Sequence, residues 1–354
     1  MKTRFAILFI SVIVLYACQT NKDKLQGKWI EADNFVDPYR LTFSDFSVKM
    51  ESNIFNGEKL YHIRKDTLYI SGFDSIYKSL IVFDNEHLKL IDIEGDIIIE
   101  IYERDSFKDL VDYFNHKKKL SVNLPQLRSD FKATDYSYHN TLFADWQNNK
   151  LLIFFNGKAH TLSDTSYLLI DKKEWATRTL LYFDKEVRVG VLNRIKNELQ
   201  RAQLNAVGFA ATDDSGNRTI IGTLLPPLYS IGGRSLPPPL NLINRKADNI
   251  MVCVKPDSLT INGNNSDWGN CKDAVKRLIK SNHKSIIRVE LDETLSYETY
   301  LNCIVELQNA YIELRNEYAM VTYEVDNYLE LESEQIKEVR SQYPMRIHEL
   351  IKEE

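Results

Sequence analysis

The sequence predicts an α+β protein, with an antiparallel β barrel or sandwich at the front and two small α+β modules behind it. Two observations predict this. Residues 24–104 hold short β-type runs at close intervals with turn residues between them, the pattern of an antiparallel sandwich or barrel. Residues 150–345 instead mix strand-like runs with amphipathic helices, and do so twice in one order. A chain of 354 residues has room for two or three domains, and 44% apolar with 27% charged residues is a globular composition that calls for packed cores.

The chain opens on a leader. Lys2 and Arg4 form a basic region, Phe5 to Ala17 is the apolar segment, and polar Gln19-Thr20-Asn21 follows Cys18. This is the layout of a secretory signal, and its 13 residues fall short of the about 20 that cross a bilayer. Leu15-Tyr16-Ala17-Cys18 resembles the lipobox of bacterial lipoproteins. The resemblance implies removal of residues 1–17, acylation of Cys18 and a protein tethered to a membrane face outside the cytoplasm. The other reading is an ordinary secretory signal with an incidental cysteine. No later stretch is long and apolar enough for a second span. Loss of Lys2 and Arg4 takes the formal charge from −5 to −7, which gives no basic stripe for nucleic acid. Beyond Cys18 stand Cys253, Cys271 and Cys303, an odd set that allows at most one disulfide. All three are expected to be mainly core residues.

In the β domain, runs at Tyr39–Phe43, Leu60–Ile63, Leu68–Ile70, Leu80–Phe83, Leu88–Ile91 and Ile97–Tyr102 alternate with turns at Asn56-Gly57, Lys65-Asp66, Asp84-Asn85 and Glu94-Gly95-Asp96. The opening Leu25-Gln26-Gly27-Lys28-Trp29 resembles the first strand of lipocalin-like domains. That likeness implies a Trp29 plugging one barrel end and a lumen able to take a small apolar ligand. The plainer reading makes Trp29 a core residue. Residues 105–149 are expected to connect this domain to the next, with a short helix marked by Phe107, Leu110, Val111 and Phe114 and closed by His116 and three lysines.

The first module is expected over 150–212. It comprises a Leu151–Phe155 strand, the Asn156-Gly157 turn and a return at Ala159–Leu162. A strand at Leu180–Phe183, a helix bearing Leu192, Ile195, Leu199 and Ala202, and a strand at Ala206–Ala211 follow. Residues 213–249, with Pro226-Pro227, Gly232-Gly233 and Pro237-Pro238-Pro239, are expected to form a semi-rigid spacer. The second module, 250–345, repeats the order. Strands at Ile250–Val254 and Leu259–Ile261 lead to a helix with Cys271, Val275 and Ile279, then a strand at Ile286–Leu291 and a helix with Tyr300, Ile304, Leu307, Tyr311 and Leu314. Met320–Tyr323 is expected to close the sheet. Asp184 and Asp292, Val187 and Leu295, and Leu199 and Leu307 all stand at one constant offset, so the period implies duplicated domains.

Ile286-Ile287-Arg288-Val289-Glu290-Leu291-Asp292 with Leu295-Ser296-Tyr297, and Leu180 to Val187 in the first copy, resemble the periplasmic domain of the ExbD/TolR biopolymer-transport proteins. The tail from Leu331 to Val339, then Tyr343-Pro344-Met345-Arg346-Ile347, is similar to the C-terminal extension of one ExbD branch. The likeness implies partner binding around Tyr343, Pro344, Met345 and Arg346. It departs from the family at the motor itself, because no membrane helix with a proton-carrying aspartate is present. Asp184 and Asp292 are read as turn residues.

No nucleophile elbow, zinc-protease motif, P-loop or dinucleotide fingerprint occurs, and the seven histidines form no ligand cluster. The sequence therefore points to a noncatalytic, cofactor-free envelope lipoprotein on the outer membrane or a periplasmic face. Its expected partners are an envelope protein, peptidoglycan or a second copy. The alternative is a carrier of a small apolar ligand in the front domain.

Overall fold

The structure is a computed structural model that describes residues 20–352 except 33, 35–37, 53–55, 73–74, 85, 94–98, 129–137, 139, 148–149, 162–177, 203, 217 and 226–248. Cys18, the leader and the proline-rich core of the expected spacer lie outside the described residues. The chain divides into two compact units, 1–118 with 136–139, and 119–135 with 140–354. No described helix is long and apolar enough to cross a membrane.

The first unit is a closed barrel of eight antiparallel strands in chain order. They are β1 (Gly27–Glu31), β2 (Arg40–Phe43), β3 (Ser47–Glu51), β4 (Asn56–Arg64), β5 (Thr67–Ser71), β6 (Ile76–Asp84), β7 (His87–Asp92) and β8 (Ile99–Arg104). The barrel closes where Trp29 on β1 stands opposite Arg104 on β8. Alternation puts Trp29, Leu41, Phe43, Val48, Tyr61, Leu68, Ile81, Leu88, Leu90 and Tyr102 into one apolar cluster. A short helix α1 (Asn21–Leu25), N-capped by Thr20 in a capping box with Asp23, leads into β1. Helix α2 (Leu110–Lys118) lies against β1 and β8: Tyr113 donates to the Glu31 carbonyl at 3.2 Å and Lys117 pairs with Glu103 at 2.7 Å.

The second unit holds two sheets with one continuous apolar core. The first sheet runs in the order β11 (Lys158–His160), β10 (Lys150–Phe155), β9 (Asn140–Gln147), β12 (Arg178–Phe183), β13 (Ala206–Thr212) and β14 (Arg218–Leu224). Helix α3 (Val189–Arg201) connects β12 to β13. The second sheet runs β17 (Asn264–Ser266), β16 (Ser258–Ile261), β15 (Asn249–Lys255), β18 (Ile286–Asp292) and β19 (Ile347–Lys352). Helix α4 (Trp268–Ser281) precedes β18. Helix α5 (Tyr297–Tyr323), a single turn at Tyr328–Glu330 and helix α6 (Ser333–Gln342) lie between β18 and β19.

Several expectations need correction. Asn56-Gly57, read as a turn, opens β4 and pairs with β3. The stretch read as a connector contributes β9, which pairs in parallel with β12 and is buried from Asn140 to Asp145. The stretch read as a spacer begins with β14, antiparallel to β13. Met320–Tyr323 does not close the second sheet: it is the last turn of the 27-residue helix α5, and β19, beyond the expected boundary at 345, pairs in parallel with β18 instead. The duplication also aligns differently. Asn156-Gly157 corresponds to Asn262-Gly263, both in left-handed backbone. Asn156 accepts the Thr141 amide with its side chain and donates its own amide to the Thr141 carbonyl, and Asn262 does the same with Met251. β9 is therefore the counterpart of β15, and β10 of β16.

Candidate docking edge and the junction beside it

Each module turns from its central strand into a helix through an aspartate. The Asp184 carboxylate accepts the Glu186 amide at 2.9 Å, and Asp292 accepts the Thr294 amide at 2.8 Å. Both are turn formers. The Thr294 side chain and amide hold the Asp292 carboxyl below the usual carboxylate range.

The two turns clasp each other. Val189 donates to the Leu295 carbonyl at 2.8 Å, and Tyr297 to the Val187 carbonyl at 2.7 Å. Gly190 donates to Glu293 at 2.9 Å, and Glu298 to Lys185 at 3.2 Å. Positions 189 and 297, 187 and 295, 190 and 298, and 185 and 293 share the offset of Asp184 and Asp292. The four bonds are thus two pairs exchanged by a two-fold operation, the isologous pattern of a symmetric dimer inside one chain. The first amides of a helix have no intrahelical acceptor. Helix α3 has no side-chain cap, and the carbonyls of the other module supply the acceptors.

Next to the clasp the symmetry breaks. Lys196 on α3, 9% exposed, reaches Glu349 on β19 at 2.6 Å and the Tyr300 hydroxyl at 3.2 Å. Tyr300 donates to the other Glu349 oxygen at 3.2 Å. Strand register makes Glu349 the counterpart of Phe209, and helix position makes Lys196 the counterpart of Ile304. One side of the pseudo-axis is thus ionic and the other apolar. Burial raises the Tyr300 hydroxyl well above its ordinary value, with the Glu349 carboxylate adding to the rise.

The outer strands differ too. β14 covers β13 along its whole length, from Ala206 opposite Leu224 to Thr212 opposite Arg218. β19, the counterpart of β13, has no strand beyond it among the described residues. Ile287 donates to the Arg346 carbonyl at 2.9 Å. In a parallel ladder this register leaves the amides and carbonyls of Ile347, Glu349 and Ile351 facing outward. The Ile347 and Ile351 side chains pack on the core.

The residues expected to bind a partner lead straight into this edge. Buried Arg315 donates twice to the Tyr343 carbonyl, at 3.0 and 2.9 Å, and Arg346 donates to the Lys284 carbonyl at 3.0 Å. Pro344 is half-buried, while Met345 and Arg346 are exposed. Trp29 lies in the other unit, at the closed end of the barrel. Its indole donates to the Leu25 carbonyl at 2.7 Å and the Arg104 guanidinium stands 3.8 Å over its ring. Trp29 is buried, and both its indole N–H and its ring face have partners within the barrel. Cys271 and Cys303 are buried, and Cys253 is half-buried, its thiol 3.4 Å from the Glu290 carboxylate; none of the three is in a disulfide. Burial, with Glu306 nearby, pushes the Cys271 thiol up to about 12. No metal-binding group of three acidic, histidine or cysteine residues occurs among the described residues.

Sequence reasoning missed Lys196, Tyr300 and Glu349 as a set. The available signal was a lysine within the apolar stripe Leu192, Ile195 and Leu199. Neither a comparison with protein-family models nor one with curated proteins found a match.

Proposed function

We propose that the protein is a noncatalytic envelope lipoprotein, anchored through acylated Cys18, that binds an envelope protein through the open edge of its second module. The supporting observation is that no strand among the described residues pairs with the outer edge of β19, whereas the matching strand of the first module is covered by β14. An edge with free amides and carbonyls accepts an extended segment by main-chain pairing. Tyr343, Pro344, Met345 and Arg346 line the approach to it. The ExbD/TolR likeness of the two modules supports a place beside a biopolymer-transport system.

The test is a cross-linked pull-down from membranes with full-length Ile351→Pro. The Ile351 amide faces away from β18, so proline there keeps the β18–β19 ladder and removes one outward donor. Loss of the co-purified partner with unchanged expression and membrane fractionation is the expected result. Undiminished partner recovery refutes the edge as the docking site. Truncation of the last 25 or so residues is a poorer test because it deletes β19 itself.

A further inference from the structure

The described chain begins locked to one end of the barrel. Arg104 donates to the Lys24 and Gln26 carbonyls, each at 2.6 Å, and Asn21 donates to Asp66 in the β4–β5 turn at 2.6 Å. Cys18 stands two residues before Thr20. Extended chain covers at most about 3.6 Å per residue, so a lipid on Cys18 starts within roughly 7 Å of Thr20. Whatever this end exposes therefore meets the bilayer first.

It exposes apolar surface. Phe46, in the β2–β3 turn, is 73% exposed, and Leu60 on β4 is 66% exposed. The two are neighbours: Ser47 pairs with Leu60, and Tyr61 donates to the Phe46 carbonyl at 3.0 Å. The Lys22 ammonium stands 4.9 Å from the centre of the Phe46 ring. Lys65 lies in the β4–β5 turn at the same end, its backbone left-handed. Asp23 is engaged by Thr20 and Asp66 by Asn21, while Asp45 adjoins Phe46 in sequence. With both signs of charge present, the end is not an anionic-lipid patch. Its character is an aromatic and an aliphatic side chain beside a lysine.

We propose that this closed end of the barrel is the face that rests on the membrane, with Phe46 and Leu60 at the boundary of headgroups and acyl chains and the Lys22 ammonium at phosphate level. The proposal rests on acylation of Cys18, as put forward above. Two side chains hold a protein on a bilayer only weakly, and the tether makes their contact an intramolecular event at high effective concentration. The opposite end of the barrel, where β5 passes into β6, then faces away from the lipid.

The experiment places p-benzoylphenylalanine in place of Phe46, and separately in place of Ile76, which is 51% exposed at the start of β6. Each full-length protein is purified from membranes, reconstituted on vesicles of phosphatidylethanolamine and phosphatidylglycerol, and irradiated. Mass spectrometry then reads phospholipid adducts and, on the same sample, the mass of the N-terminal peptide. The expected result is an acylated Cys18 with lipid adducts at position 46 and none at position 76. An acylated Cys18 with no adduct at 46, or with equal adducts at both positions, overturns the seating and leaves the anchor standing. An N-terminal peptide carrying no acyl group overturns the anchor, and the seating falls with it.

Discussion

The Lys196–Glu349 pair beside the clasp yields the sharpest stability prediction. Removal of one member of a buried ion pair costs about 3–5 kcal/mol, because the other is left uncompensated. The Glu349 side chain retains 27% exposure, so solvent relieves part of that cost. Lys196→Met should therefore destabilise the second unit by about 2 kcal/mol. A unit of this size moves by roughly 2–4 °C per kcal/mol. The double variant Lys196→Met with Glu349→Leu should recover most of the loss, since the pseudo-symmetric positions are already filled by Ile304 and Phe209, both buried. Thermal unfolding of the four proteins of the cycle, followed by circular dichroism, gives the coupling directly. If the double variant falls as far as the sum of the two single variants, the pair does not act as a unit and the reasoning fails.

Three further outcomes follow from named contacts. Gly27 has φ +102° and a Cβ there would stand 3.2 Å from the Arg104 guanidinium. Gly27→Ala should cost the barrel about 2 kcal/mol, read as an earlier thermal transition in aromatic circular dichroism. Val189→Pro would be mild at the start of an ordinary helix, but here it removes the amide given to Leu295; a loss of about 1–3 kcal/mol in urea unfolding is expected. On α4 and α5, Lys272, Lys276 and Lys280 ladder with Glu313 and Glu317. Lys276 and then Lys280 hold the Glu317 carboxyl low; burial pulls the Glu313 carboxyl up, and Lys272 and Lys276 outweigh it. Their folded values lie below the unfolded ones, so this stability is in place above a pH of about 4.3 and fades as pH falls through the folded values. Glu313 raises Lys272, and on Lys276 the two glutamates outweigh burial, so the lysine share is lost only as pH rises past about 10.4. These groups are partly to well exposed, so the ladder is worth about 1 kcal/mol or less, and melting temperature should lose this component in high salt.

Most of the barrel was legible because its determinants are local, although β3 was not marked and the start of β4 was read as a turn. Alternation, turn residues and the Leu25-Gln26-Gly27-Lys28-Trp29 opening sit within a few residues of each other, and each strand pairs with the next. β9 was hidden because it is buried on both faces and shows no alternation. Its Asp145 is accommodated by the Ser121 amide at 2.7 Å, a partner no pattern reveals. β19 was hidden for another reason. An apolar run at Met320–Tyr323 competed with it, and a 27-residue helix absorbs such a run as its last turn.

The clasp shows why the candidate site was the hardest part to read. All four of its bonds run between backbone groups, so no residue type marks them, and only the constant offset of the two copies hints at them. A clasp of two equal modules should present two equal edges. The chain spends β14 on the first, since the connection from module one to module two continues past β13 and can fold back along it. Among the described residues no strand lies beyond β19. Two equivalent edges thus have one covering strand, β14, among the described residues. The Lys196–Glu349–Tyr300 set lies at this edge strand, where an ionic contact from α3 fixes β19.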